Sequence, residues 1–294
     1  AGEAGGPRFV MRFVLFNPHL YLEDVHPMIR ITPIRVALLL VSAVPFLAGC
    51  GGGDQPAGGN KGEGGTGGET QPIDANLKVD PATGGFVTGT VKFEGAAPTE
   101  RVNSVEADPF CLSKHPDGVK SETAMVGAGG ELGNVFVWVK KGIKGRYPPP
   151  SEVVSLRQEG CRYVPHVLGI QTGQDLLIHN DDETMHNVHS LPKINGDFNF
   201  AQTKKGDEAK KKFSAQEVMV KFKCDAHGWM SAYVGVVNHP FFAVTGADGK
   251  FELKYVPPGE YEIEAWHEKF GSQVQSVKID AKGTATLSFT FKEK

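Results

Sequence analysis

The chain has no cationic surplus: 31 Lys and Arg stand against 34 Asp and Glu, a formal net charge of −3. Proteins that grip phosphate backbones need a basic excess, so no nucleic-acid partner is expected. Long hydrophobic runs are scarce as well. The apolar stretch from Val36 to Leu47 falls short of the ~20 residues that an α-helix needs to cross a bilayer. Helical periodicity is also missing, since no segment sustains the apolar spacing of an amphipathic helix. What is abundant is 37 Gly and 19 Pro clustered between β-branched and aromatic runs, the pattern of many strands and turns. With 294 residues, 40% hydrophobic and 22% charged, the chain can bury one or two modest cores but not one large enzyme domain.

Residues 28–50, MIRITPIRVALLLVSAVPFLAGC, set Arg30 and Arg35 ahead of the apolar run and close it with small residues and Cys50. That order predicts a secretory signal. Leu47-Ala48-Gly49-Cys50 resembles a bacterial lipobox, which implies that Cys50 is acylated and that the mature protein sits in the periplasm or on the cell surface, lipid-anchored to a bacterial membrane. Several acyl chains on one cysteine supply the double anchor that a single chain does not. Residues 1–27 precede Met28, read as the initiator, and are expected to be an upstream extension without function. Residues 51–80 begin GGGDQPAGGNKGEGG, too polar and Gly-rich to seed a core, and are expected to form a disordered tether.

Beyond the tether the expected class is all-β. Alternation over Phe86–Phe93 predicts a strand, and the short apolar run Val135–Val139 another before the Pro148–Pro150 tract interrupts regular structure. Residues 81–150 therefore form an N-terminal β segment able to pair with either of two sandwiches. The first is expected over 151–237, with strands near 162–164, 167–171, 175–179, 211–213, 218–223 and 232–237. After His239 the text turns to alternating strands joined by Ala-Asp-Gly and Pro-Pro-Gly turns, predicting a small second sandwich over 238–294. Under 60 residues make a thin independent core. The VTGTVKFEG segment is a natural donor strand, and in that arrangement the first sandwich is an insertion within the second.

Cysteine is sparse: Cys50, Cys111, Cys161 and Cys224 are the whole set. With Cys50 assigned to lipid and Cys224 to the loop below, Cys111 and Cys161 are expected to pair in an oxidising compartment. Two buried free thiols, or Cys111 with His115 as half of a metal site, are the alternatives.

The chemistry concentrates in FKCDAHGWM, where Cys224, His227 and Met230 follow an apolar strand as C-x-x-H-x-x-M. A thiolate, an imidazole and a thioether within seven residues suit copper, and two His, one Cys and a weak axial Met make the blue-copper set. The loop supplies one histidine, so the second has to come from elsewhere, and Asp181–His189 (DDETMHNVH) offers His186 and His189. Gly173-Gln174-Asp175-Leu176, Asn180, His186-Asn187-Val188-His189 and then Cys224 to Met230 match in order and spacing the cupredoxin family, amicyanin-like members above all.

That resemblance covers about residues 151–237 and implies a Greek-key β-sandwich holding one mononuclear Cu(I)/Cu(II) through His186, Cys224, His227 and Met230. It further implies that Asn187 steadies the ligand loop, that His189 stays off the metal, and that the His227 imidazole reaches the surface through an apolar docking patch with Trp229 beside it. The loop departs from the family in having Ala226 and Gly228 around His227 where prolines are usual. The C-terminal sandwich resembles carboxypeptidase regulatory-like, or transthyretin-like, domains.

The expected function is single-electron transfer between redox proteins such as cytochromes or other membrane carriers, not enzymatic catalysis. A copper-delivery protein would use the same ligands, but only six methionines occur, and they are scattered. A surface binding module with structural copper is the further alternative. His115, His166, His179 and His189 are expected to serve packing or surface roles, and His239 and His267 turn-capping or packing ones.

Overall fold

The computed structural model describes residues 72–293. The expected extension 1–27, the signal 28–50 with Cys50, and the tether as far as residue 71 lie outside the described residues. The last residues expected to be tether are packed: Ile73 forms a bridge with Arg146, and Leu77 lies against a hydrophobic core.

The described residues are all-β apart from the short helix Pro109–Lys114. A five-stranded sheet runs Asn199–Gln202, His186–Leu191, Glu217–Lys223, Ser231–Val237, Val167–Gln171. Facing it is a four-stranded sheet of Glu208–Lys211, Leu176–Asn180, Val154–Gln158 and Tyr163–Val164. Alternation sorts the side chains: in His186–Leu191, residues 186, 188 and 190 point inward while Asn187 and His189 are half exposed. Leu156, Ile170, Leu176, Ile178, Val188, Phe213 and Phe222 fill the space between the sheets.

A second sandwich is built from the two ends of the described chain. Gly85–Glu94 is the middle strand of a three-stranded sheet, antiparallel to Lys250–Val256 and parallel to Thr284–Lys292. Phe136–Lys141 lies between Phe242–Val244 and Gly259–His267 in the opposing four-stranded sheet, with Gly271–Ile279 at its edge. The segment FVTGTVKFE thus pairs with the C-terminal strands, and residues 154–237 are inserted between the strands of this sandwich. Burial explains the pairing. Val87, Val91 and Phe93 reach a core of Phe251, Leu253, Phe289 and Phe291 that residues 238–294 could not enclose alone.

The two sandwiches meet along a seam. Gly169 and Gly235 are register partners on adjacent parallel strands and form a flat floor for Phe136. A Cβ at Gly235 would fall 2.4 Å from the Phe136 ring and one at Gly169 2.4 Å from Phe242. Beside this contact His166 is clamped twice, by the Ser231 carbonyl at 2.9 Å and by the Glu268 carboxylate. Both partners are acceptors, so both ring nitrogens carry protons and His166 is an imidazolium. Burial disfavours that charge, but the Glu268 contact outweighs it and raises the His166 pKa. Burial likewise opposes ionisation of Glu268, and the His166 contact lowers its pKa regardless.

This buried pair makes seam stability pH-dependent. Its contribution is complete between the ordinary glutamate and histidine values of 4.5 and 6.5. It fades as pH falls through the lowered Glu268 value or rises through the raised His166 value. Glu268→Gln strands the imidazolium and is expected to cost about 3 kcal/mol. Urea unfolding at pH 5.5 should show that loss, with a smaller gap at pH 9, and equal stabilities at pH 5.5 would refute the assignment.

Other histidines serve locally. His179 pairs with Glu208 at 3.0 Å, and His115 bonds the Gly160 carbonyl at 2.7 Å. His239 Nε2 donates to the Val139 carbonyl at 2.8 Å, and His267 Nδ1 accepts from the backbone of Lys269 and Phe270. Burial lowers both of these last two to about 4, so they are neutral packing and turn-capping groups.

Candidate metal centre

Three buried donors converge at one end of the inserted sandwich. His186 opens an interior strand, while Cys224 and His227 belong to the loop between the next two strands. Their donor atoms lie within 4.8 Å of one another. The two Nδ1 atoms are 3.0 Å apart, and Cys224 Sγ is 3.6 Å from His227 Nδ1.

The loop is held by its own backbone. Met230 N–H donates to the His227 carbonyl at 2.9 Å and Cys224 N–H to the Met230 carbonyl at 3.2 Å, which folds C-D-A-H-G-W-M into a closed turn. Met230 is buried there, 2% exposed. Asn187 secures the loop from the neighbouring strand: its N–H donates to Cys224 Sγ at 3.2 Å, and its Oδ1 accepts from the Asp225 N–H at 3.1 Å. His189 points to the other face and bonds Asp225 at 2.8 Å.

Each histidine is also gripped from behind. His186 Nε2 donates to Asp182 Oδ2 at 2.9 Å, and His227 Nε2 to Asp108 Oδ2 at 3.1 Å. A carboxylate on Nε2 fixes the tautomer with its lone pair on Nδ1. Asp182 is itself fixed by the N–H groups of Gly160 and Cys161 at 2.8 and 2.7 Å. Gly160 and Cys161 both have positive φ, 59° and 54°, and so form a small anion-binding nest. Asp108 caps the helix Pro109–Lys114, accepting from the Cys111 N–H at 2.9 Å and from the Thr184 hydroxyl at 2.8 Å.

These contacts set the charges. Burial works against a Cys224 thiolate, but hydrogen bonds from His186, His227 and two backbone N–H groups prevail and bring the thiol down to about 6. Burial also opposes protonation of both imidazoles, and the carboxylate and thiolate partners override it, raising His186 and His227 alike. With both Nε2 atoms donating outward, the two Nδ1 atoms and the Cys224 sulfur face one small volume and share its protons between them. A metal cation would take the place of those protons, and a sulfur and two imidazoles are donors for a soft or borderline metal ion.

Cys111 and Cys161 are bridged, with Cα atoms 5.7 Å apart. The Cys111–His115 half-site is therefore ruled out, and Cys224 is the free thiol among the described residues. The disulfide lies behind the histidines, with Cys111 Sγ 3.9 Å from His227 Nε2. In consequence His227 does not reach the surface, contrary to the expectation. It is 4% exposed because Asp108, the helix and the disulfide cover its outer edge. Trp229 is half-buried, packs on the His227 ring with centroids 5.1 Å apart, and donates from Nε1 to the Cys161 carbonyl at 3.0 Å.

Asp108, Asp182 and the covering helix were not anticipated from sequence, although signals exist. Asp108-Pro109 is an N-cap followed by a first-turn proline. Asp182 lies four residues before His186, but only the folded loop turns it onto the ring.

Comparison with known proteins gives two likenesses. Residues 230–292 match the carboxypeptidase regulatory-like domain, a span that starts in the ligand loop and runs through the C-terminal strands. Among solved structures, a purple cupredoxin from Nitrosopumilus maritimus is 24% identical over 28% of this chain and 98% of its own, with a TM-score of 0.25. A Cu(I) form of an amicyanin variant is 16% identical over 34% of this chain and 97% of its own, with a TM-score of 0.26. A copper-containing nitrite reductase from Thermus scotoductus is 21% identical over 35% of this chain and 25% of its own, also at 0.26. No curated protein matches the chain.

Proposed function

We propose that the chain is a one-electron carrier with a single copper ion held by His186, Cys224, His227 and Met230. The observation that carries this reading is the convergence of two Nδ1 atoms and one free thiol in a buried site whose imidazoles are pinned from behind. Copper bound there supplies a reversible Cu(I)/Cu(II) couple with a strong thiolate bond. The protein's part is rigidity. Asn187 fixes the sulfur, Asp182 and Asp108 fix the rings, and a closed loop fixes the spacing, so little needs to move when charge changes. Met230, buried in the same loop, is the proposed fourth donor in place of a substrate position, and this supports a carrier over an enzyme.

Burial separates this reading from copper delivery. A donor site with Cys224 at 2% and His227 at 4% exposure suits retention of the metal more than its exchange. The lipobox-like residues 47–50 support a location in the periplasm or at the cell surface, tethered to the membrane through Cys50. Membrane electron carriers such as cytochromes are then the partners within reach.

Titrating Cu(II) into the purified full chain tests the reading. An intense visible thiolate-to-copper band should saturate at one ion per chain, bleach with ascorbate and return on oxidation. A weak d–d band alone, or bleaching that does not reverse, would overturn the proposal.

A further inference from the structure

The covered edge of His227 raises the question of where an electron leaves, and the surface beside Trp229 answers it. A cleft of about 440 Å³ opens against the ligand loop, bordered by Gly228, Trp229 and Ser231. Trp229 has one side on the His227 ring and also lines this cleft, so it forms a continuous aromatic path from the candidate ligand to solvent. Through the other edge of His227, Asp108 and the Cys111–Cys161 bridge intervene.

The cleft has a sign. Arg101, Lys221 and Lys269 stand exposed around it. Among the described residues, neither Arg101 nor Lys221 has a carboxylate within salt-bridge distance, while Lys269 reaches Glu293 at 3.2 Å. Lys221 instead rests over the Tyr233 ring at 6.0 Å, on the same wall. The two acidic residues of the lining are already engaged, Glu100 with Lys120 at 2.9 Å and Glu268 with the buried His166. The chain as a whole is acidic, at −3, so this local excess of positive charge is not a general property of its surface.

We propose that this cleft is the docking surface for the electron partner, that the partner is a redox protein presenting a carboxylate-rich face, and that the electron passes through Trp229. The inference rests on the electron-carrier reading above. One electron leaves the site and the partner is reduced by one, with no bond made or broken. Unpaired cations at the rim attract the partner's carboxylates and speed encounter, an effect that salt screens.

The test uses the copper-loaded, reduced full chain and two one-electron oxidants of opposite charge, hexacyanoferrate(III) and tris(phenanthroline)cobalt(III), in stopped flow at several salt concentrations. The doubly reversed Arg101→Glu/Lys221→Glu chain should keep its visible spectrum. It should react about tenfold more slowly with hexacyanoferrate at low salt and faster with the cobalt complex, the two effects converging as salt rises. Trp229→Leu should slow both oxidants, and Trp229→Phe should restore part of the rate. If charge reversal moves the hexacyanoferrate rate by less than twofold, or Trp229→Leu leaves both rates unchanged, the cleft is not the exit. If the unaltered chain shows no reversible visible band, the electron-carrier reading fails and takes this inference with it.

Discussion

Replacing Cys224 by Ser is expected to erase the intense visible absorption of the copper-loaded protein and to lower Cu(II) affinity by more than about 100-fold, beyond the loss usual for an outer partner of a ligand. The cause is electronic before it is geometric. The thiol is already acidified to about 6 by His186, His227 and backbone N–H groups working against burial. A serine hydroxyl in the same place does not ionise and is a poor donor to a soft ion. The Asn187 and His227 N–H groups that now point at Sγ, at 3.2 and 3.3 Å, would still find an oxygen acceptor, so the fold should survive. Met230→Leu is the contrast: loss of a weak axial thioether should keep the band and shift the reduction potential. Absorption spectra and urea unfolding of both variants check this. A strong charge-transfer band in folded Cys224→Ser would remove Cys224 from the ligand set.

The second large effect concerns the bridge behind the site. Cys111→Ser/Cys161→Ser releases a loop closed at a sequence separation of 50. Loop entropy puts the expected stability loss at about 4 kcal/mol. The consequence should not be confined to global unfolding. Cys111 lies in the helix whose N-cap Asp108 holds His227, and the N–H of Cys161 holds Asp182, which in turn holds His186. Without the bridge both grips depend on hydrogen bonds alone, and copper loss to a strong chelator should quicken at denaturant concentrations too low to unfold the chain. Denaturation curves and chelator-release rates measure the two effects separately. Treating the unaltered protein with dithiothreitol should reproduce both. A stability change under about 1 kcal/mol would show that the bridge constrains little.

The sequence carried more of this protein than its sparse motifs suggest. Alternation in FVTGTVKF and in the segments after residue 250, together with the apolar run VFVWV, was enough to point to an all-β chain, because a half-buried strand writes its two faces into the text and a strand buried on both faces reads as one apolar run. The ligand loop was legible for a similar reason: Cys224, His227 and Met230 sit within one turn, and a short turn keeps nearby residues together. Other features were harder to see. The six-residue helix is too short to show a period, and the strand beginning at His186 is masked by its polar residues.

What the linear order could not decide is what stands behind and around the loop. Asp108 precedes His227 by 119 positions, yet it closes that ring's outer edge and moves the accessible surface to Trp229. Glu268 lies 102 positions from His166 and locks one sandwich to the other, while Gly169 and Gly235 become a floor for Phe136 only once their strands pair. Local chemistry is set by neighbours along the chain, and the amino-acid order determined that. Which carboxylate meets which imidazole, and which face of the site is left open, depends on sheet register and on how two sandwiches share their strands, and only the tertiary structure decided those.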